Sequence, residues 1–181
     1  MKQLNTSVAF TGAVRKPPAR GWSWARSDRL KQPLWRCPRC RRQFAHHNQS
    51  HACGRHDLQH HLKGKPPLIH AFYNAVLERV RSCGPVVVLP EKTRIAFQVR
   101  MSFAQVTPRQ QWLDGHVVLA RRLEHPRFRR IETISPRNHV HHFRLMALTD
   151  VDQDVQAWLR EAYAVGQQLH LDSPRGRRTS A

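Results

Sequence analysis

"LIHAFYNAVLERVRSCGPVVVLPEKTRIAFQVR", residues 68–100, changes its hydrophobic period half-way along, and that change decides the fold class. In its first half apolar side chains recur at four-residue steps: Leu68, Phe72, Val76 and Val80, with Ala75 filling the same stripe. Pro66 and Pro67 stand at the start and Gly84 just past the end, which predicts an amphipathic helix punctuated at both ends. After it the period becomes two, the repeat of a strand whose side chains point alternately to opposite faces.

Working outward, the same two-residue period continues through "PVVVLP", "TRIAFQVRM", "SFAQVTP", "QWLDGHVVLARR", "RIETIS" and "HVHHFRLMAL", each bounded by proline or polar turns. Thr149 then opens "TDVDQDVQAWLREAYAVG", a second helix with Thr149 as its expected cap. Acidic residues fill its first turn, and Val151, Val155, Trp158, Leu159 and Ala162 form its buried stripe. Helix, adjacent strands and helix in that order predict an α+β domain over residues 62–169. Its expected plan is a mainly antiparallel sheet of about five or six strands, flanked by two helices on one face. The alternation also sorts the faces. Ile95, Phe97 and Val99, Leu113, Val117 and Leu119, and Phe143 and Leu145 turn to the helices. Arg94, Gln98 and Arg100, Trp112, Asp114 and His116, and His142 and Arg144 turn the other way, with Ala96.

N-terminal to this domain, residues 34–57 hold "RCPRCRRQFAHHNQSHAC" at 36–53, three cysteines and three histidines in eighteen positions. The two-residue gap between Cys37 and Cys40 is the knuckle spacing that lets two thiolates grip one zinc ion from a tight turn. His51 and Cys53 are separated by one residue, so in extended chain they point to the same side, about 6.5 Å apart along it. A Cys37, Cys40, His51, Cys53 tetrahedron follows, with His56, His46 and His47 as other candidates for the histidine position. Four ligands close the coordination, so the zinc is structural and the segment is a zinc-knuckle-like module with Phe44 as a miniature core. Residues 1–33, containing "RKPPARGWSWARSDRLKQP", are expected to be a disordered basic arm, and residues 170–181 a disordered tail. Three clustered cysteines with Cys83 standing alone do not make a secreted disulfide framework. No secretory core or membrane-length apolar run is present, which points to a cytoplasmic protein with no membrane partner.

Charge bears on partners. The 31 Lys and Arg against 12 Asp and Glu leave +19, with a pI near 11.5. Residues 1–60 carry 12 basic and 2 acidic side chains and residues 61–149 carry 15 and 5, while residues 150–181 carry 4 and 5. A surface this basic attracts polyanions, nucleic acid above all. Arg41 and Arg42 beside the zinc site, with Lys92, Arg94, Arg100, Arg121 and Arg122, are the expected phosphate contacts, giving affinity without sequence specificity. Two other readings rest on the polar sheet face, where Asp114, His116, His142 and Arg144 form a possible ligand face. One is a small-ligand or protein-binding domain. The other is a metal-dependent phosphodiesterase or nuclease, for which a single Asp supplies few carboxylates. The favoured function is therefore a non-catalytic, nucleic-acid-associated binding protein with a structural Zn2+.

Several ordered stretches also carry a family likeness. "WRCPRCRRQFAHHNQSHAC", "HLKGKPPLIHAFYNAVLERVRSCGPV", "KTRIAFQVRMSFAQV", "LDGHVVLARR", "HPRFRRIETISPRNHVHHFRL" and "LREAYAVG" together resemble the bacterial domain-of-unknown-function family numbered 5655, in the variety preceded by a zinc-ribbon-like segment. The resemblance covers about residues 35–168. It implies a compact α+β domain, and through "NQSHAC" it favours His51 and Cys53 as the second half of the metal site. The family carries no activity to transfer; some members stand beside restriction-enzyme-like segments, an association that hints at nucleic acid.

Overall fold

The computed structural model describes residues 33–171 except 50, 52 and 55. A hairpin of β1 (Trp35–Arg36) and β2 (Gln43–Phe44) comes first, followed by the five-residue helix α1 (Leu58–Leu62) and the long helix α2 (Pro67–Arg81). Pro67 occupies the first position of α2, where an absent N–H leaves nothing unsatisfied. The helix buries Ile69, Phe72, Tyr73, Val76 and Val80, whereas Leu68, expected in the stripe, is 44% exposed. A 3.6-residue period gains about 40° over each four-residue step, so a stripe centred on Phe72 and Val76 takes in Ile69 instead.

Six strands form one sheet: β3 (Val87–Pro90), β4 (Ile95–Gln98), β5 (Ser102–Pro108), β6 (Leu113–Leu119), β7 (Phe128–Ser135) and β8 (Asn138–Leu145). Every neighbouring pair is antiparallel, in the order β3-β4-β5-β6-β8-β7. β8 thus lies between β6 and β7, and the connection from β6 to β7 runs on the helix side. There Arg121 pairs with Glu161 at 3.0 Å and Arg127 with Asp152 at 2.7 Å. Helix α3 (Gln153–Gly166) lies over β5 and β6 and against α2. The expected fold class is the one observed, an antiparallel sheet with its two long helices on one face.

The start of α3 corrects one expectation. Residues Leu148–Asp150 form a 3-10 turn in which Asp150 Oδ2 accepts from the N–H groups of Met146 and Ala147. The helix proper begins after Asp152, whose Oδ1 accepts from the N–H groups of Asp154 and Val155. Asp152 rather than Thr149 is the cap, because Asp150 has already bent the chain away from helical geometry.

Between sheet and helices the core contains Ile95, Phe97, Phe103, Leu113, Val117, Leu119 and Leu145, all essentially inaccessible, packed against Phe72, Val76, Val155 and Leu159. Burial of each such side chain contributes about 1.5–3 kcal/mol relative to exposure. None of the hairpin's residues belongs to this cluster; Cys37 and Phe44 are buried within the hairpin region itself. Among the described residues no helix is long and apolar enough to cross a membrane. The expected arm over 1–33 lies outside the described residues except for residue 33. The expected tail over 170–181 does so beyond residue 171, where a 3-10 turn over Leu169–Leu171 ends the described chain.

Candidate metal centre and open sheet face

The knuckle is built by backbone geometry. Cys37 N–H donates to Arg42 O and Arg41 N–H to Cys37 O, each at 2.9 Å, with Arg41 in the left-handed region at φ 61°. That turn swings Cys40 back towards Cys37. Across from it, Cys37 Sγ and Cys53 Sγ are 3.8 Å apart, and His51 Nε2 stands 3.2 Å from Cys40 Sγ and 3.3 Å from Cys53 Sγ. All four ligand atoms lie within 4.8 Å of one another. A tetrahedral ion with thiolate arms of about 2.3 Å has edges of about 3.8 Å, so these atoms sit at the corners of a coordination shell rather than at bonding distance for disulfides.

The surroundings suit a metal. His51 Nδ1–H donates to Gln49 O at 2.6 Å, which leaves the Nε2 lone pair aimed at the sulfurs. Hydrogen bonds from the Cys40 and Arg39 backbone outweigh burial and bring the Cys37 thiol down to about 6. Burial pushes the Cys40 thiol up, but the Arg42 N–H and His51 outweigh it and leave it lowered. Burial and the two neighbouring thiols raise Cys53. The thiolate is the ligand form, and Cys37 and Cys40 are inclined to it. Phe44 stacks on His51 with centroids 4.2 Å apart, and Trp35 flanks both rings. Among the described residues this is the group placed to hold a metal ion; His46, His47 and His56 are not part of it.

The hairpin docks onto the sheet face opposite the helices. Gln98, expected to face solvent, is 5% exposed because its Nε2–H donates to Gln43 O at 2.7 Å. Arg36, Arg41 and Arg42 stand around a cleft of about 300 Å³ whose floor includes Val87, Leu89 and Gln98. Arg36 Nε–H donates to Arg41 O and Arg42 Nη2–H to Gly54 O, so both guanidiniums are held by the module's own backbone.

Further along the same face, Asp114, His116, His142 and Arg144 line a second cleft, of about 340 Å³. The register explains their convergence: Asp114 is opposite Arg144 and His116 opposite His142 across β6 and β8. Asp114 accepts from Arg109 Nε at 2.9 Å on Oδ2 and from Arg144 Nε at 2.8 Å on Oδ1. Burial alone would raise this carboxyl, but the two arginines outweigh it and hold it below its ordinary range. A carboxylate bridged by two cations is poorly placed to ligate a third, so the geometry does not make Asp114 a metal ligand. Arg144 stacks on Trp112 at 4.2 Å. His142 Nε2–H donates to Glu132 Oε1 at 2.8 Å, and the His116 and His142 rings meet edge to face at 5.2 Å. Burial first, then His142 and Arg94, push His116 down to about 3, so its ring is neutral at neutral pH.

The other basic residues singled out in the sequence do not join this surface as a block. Arg94 pairs with Glu91 at 2.6 Å, Arg122 with Glu124 at 2.7 Å, and Arg121 with Glu161 on the helix side. Arg100 Nε–H donates to Gln168 Oε1, and Lys92 lies in the β3–β4 turn. The cleft instead recruits Arg109, Arg129 and Arg130, which the sequence reasoning passed over. Arg130 is opposite His142 across β7 and β8, a pairing that local alternation does not reveal. His139 and His141 face the core: His141 is fully buried, with Nε2 accepting from Leu123 N–H and Nδ1–H donating to His139 O.

No curated protein and no solved structure matches the chain. The model of the family described as a domain of unknown function (DUF5655) matches residues 59–166, the α2-to-α3 domain with the last four residues of α1, and the hairpin ahead of it carries a Cys/His cluster consistent with a zinc-ribbon-like segment. Matched over more than half of its length, the chain belongs to the DUF5655 family.

Proposed function

We propose that the protein is a non-catalytic nucleic-acid-binding protein whose contact surface is the open face of the sheet, with a structural zinc ion holding the module in place. One observation carries this. The module's Arg36, Arg41 and Arg42 and the cleft's Arg109, Arg129, Arg130 and Arg144 stand on the same side, opposite α2 and α3. Phosphates spaced along a strand are met by arginines spread over one face; on the helix side Arg121 and Arg127 are held by Glu161 and Asp152. Zinc suits three thiolates and one imidazole in a closed shell, a set that steadies a small segment and activates no water. Contacts of this kind bind without reading sequence, in keeping with the net charge of +19.

The test is binding of labelled single- and double-stranded DNA and RNA to metal-loaded protein over a salt series. The expected result is a linear fall of log affinity with log salt. Arg130→Gln should lessen its slope by about one phosphate contact, and Arg121→Gln should leave it unchanged. No binding above low salt, or equal loss from both variants, would overturn the assignment.

A further inference from the structure

A strand crossing the sheet needs only a flat basic surface, yet between β6, β8 and β7 the face sinks into the cleft of about 340 Å³. Four guanidiniums line it, those of Arg109, Arg129, Arg130 and Arg144, against the carboxylate of Asp114 and that of Glu132, which meets Arg130 at 3.3 Å. Two positive charges remain in excess before the histidines are counted. Asp114 takes hold of Arg109 and Arg144 through their Nε edges, which sets the planes of both guanidiniums, and Trp112 fixes Arg144 from the side. Their Nη groups make no hydrogen bond within the described residues. Two oriented forks with an excess of about two charges match a phosphomonoester, which carries about −1.5 to −2 at neutral pH and three acceptor oxygens. An internal phosphodiester carries one charge and two esterified oxygens, so it fills the cleft less well.

The room beyond the cleft fits the same ligand. A second cavity, of about 460 Å³, lies beside it and shares Arg129 and Arg144 as a common wall, with Arg127, Met146 and Asp150 on its far side. A phosphate seated against Arg109 and Arg144 leaves its ester group to pass over that wall.

We propose that the cleft seats a phosphomonoester dianion and that, resting on the nucleic-acid reading above, the ligand is the phosphorylated end of a strand. Arg109 and Arg144 grip the phosphate, Asp114 positions them, and Arg129 and Arg130 supply the remaining field. The grip depends on the guanidinium fork as well as on charge.

Three single strands of one sequence, ending in 5′-phosphate, 3′-phosphate or hydroxyls only, would be titrated by fluorescence anisotropy against the full metal-loaded chain. One phosphorylated end should bind at least about tenfold tighter than the hydroxyl strand, the gain from one charge-assisted hydrogen bond. Arg144→Lys keeps the charge and should bring the ratio below about threefold. Inorganic phosphate should compete away the excess. Equal affinity for all three strands overturns the phosphate seat and leaves strand binding standing. If no strand binds, the nucleic-acid reading fails, and calorimetry with inorganic phosphate and adenosine 5′-monophosphate decides the cleft. One-site binding lost in Arg144→Lys keeps the seat for a small phosphate ester, and no binding removes it.

Discussion

Replacing Gly115 with alanine should cost about 2–3 kcal/mol of folding stability, near the upper end for overpacking a core. Gly115 lies opposite Phe143 across β6 and β8, and the Phe143 ring lies over it. A Cβ at position 115 would stand 2.6 Å from Phe143 Cζ, 2.7 Å from Cε2 and 3.2 Å from Cε1. Carbon atoms rest at about 3.5–4.0 Å, so the ring has to retreat by about 1 Å. It has little space to do so. Phe143 is 4% exposed and backs onto Trp158 at 5.8 Å between centroids, which in turn packs against Phe128 at 4.3 Å. In an interior packed this densely the displacement passes to α3 through Trp158. Urea unfolding followed by circular dichroism gives the measurement: the midpoint should fall with the slope unchanged. Phe143→Leu removes the ring atoms that clash, so the double variant should be more stable than the two single losses predict, by about 1 kcal/mol or more. Strict additivity, or a Gly115→Ala protein within about 0.5 kcal/mol of wild type, would refute the argument that the ring requires a glycine.

Three further outcomes are expected. Stripping zinc-loaded protein with a chelator should shift the Trp35 fluorescence towards that of a water-exposed indole, since Trp35 packs on His47 and His51, while the main thermal transition persists because the domain core excludes the hairpin; loss of that transition on chelation would contradict this. Asp152→Ala removes two cap hydrogen bonds and the Arg127 ion pair, and should lower stability by about 1–2 kcal/mol in denaturant titrations. Acid should destabilise the fold: burial holds His116 (to about 3) and His141 below the ordinary 6.5, so below that pH the unfolded chain binds more protons than the folded one. The stability is complete above about pH 6.5 and falls with pH by up to about 1.4 kcal/mol per unit for each group, so His116→Asn should show a shallower slope between about pH 6 and 4.5. Identical slopes would exclude a role for His116.

What the sequence by itself determined is what depends on near neighbours along the chain. The shift from a four-residue to a two-residue period at Gly84 separated α2 from the strands, and both long helices and all six strands of the sheet follow from that local alternation. The knuckle of Cys37 and Cys40 and the pair His51 and Cys53 were legible for the same reason, since each pair is set by a turn or an extended step of one or two residues. Tertiary structure alone decided which polar residues meet. Gln98 reads as a solvent-facing strand residue and is buried because a hairpin more than fifty positions away lies over it. Arg109 reaches Asp114 locally, across the turn between β5 and β6, but Arg130 and Arg144 join them in one cleft only because β8 inserts between β6 and β7, a strand order that no local pattern encodes. Arg121 and Arg122 look equally basic in the sequence, yet that same crossover carries Arg121 to Glu161 on the helix side, while Arg122 meets Glu124 only two residues on. Charge is a property of each residue, but a binding surface is a property of strand order and register, which long-range packing alone establishes.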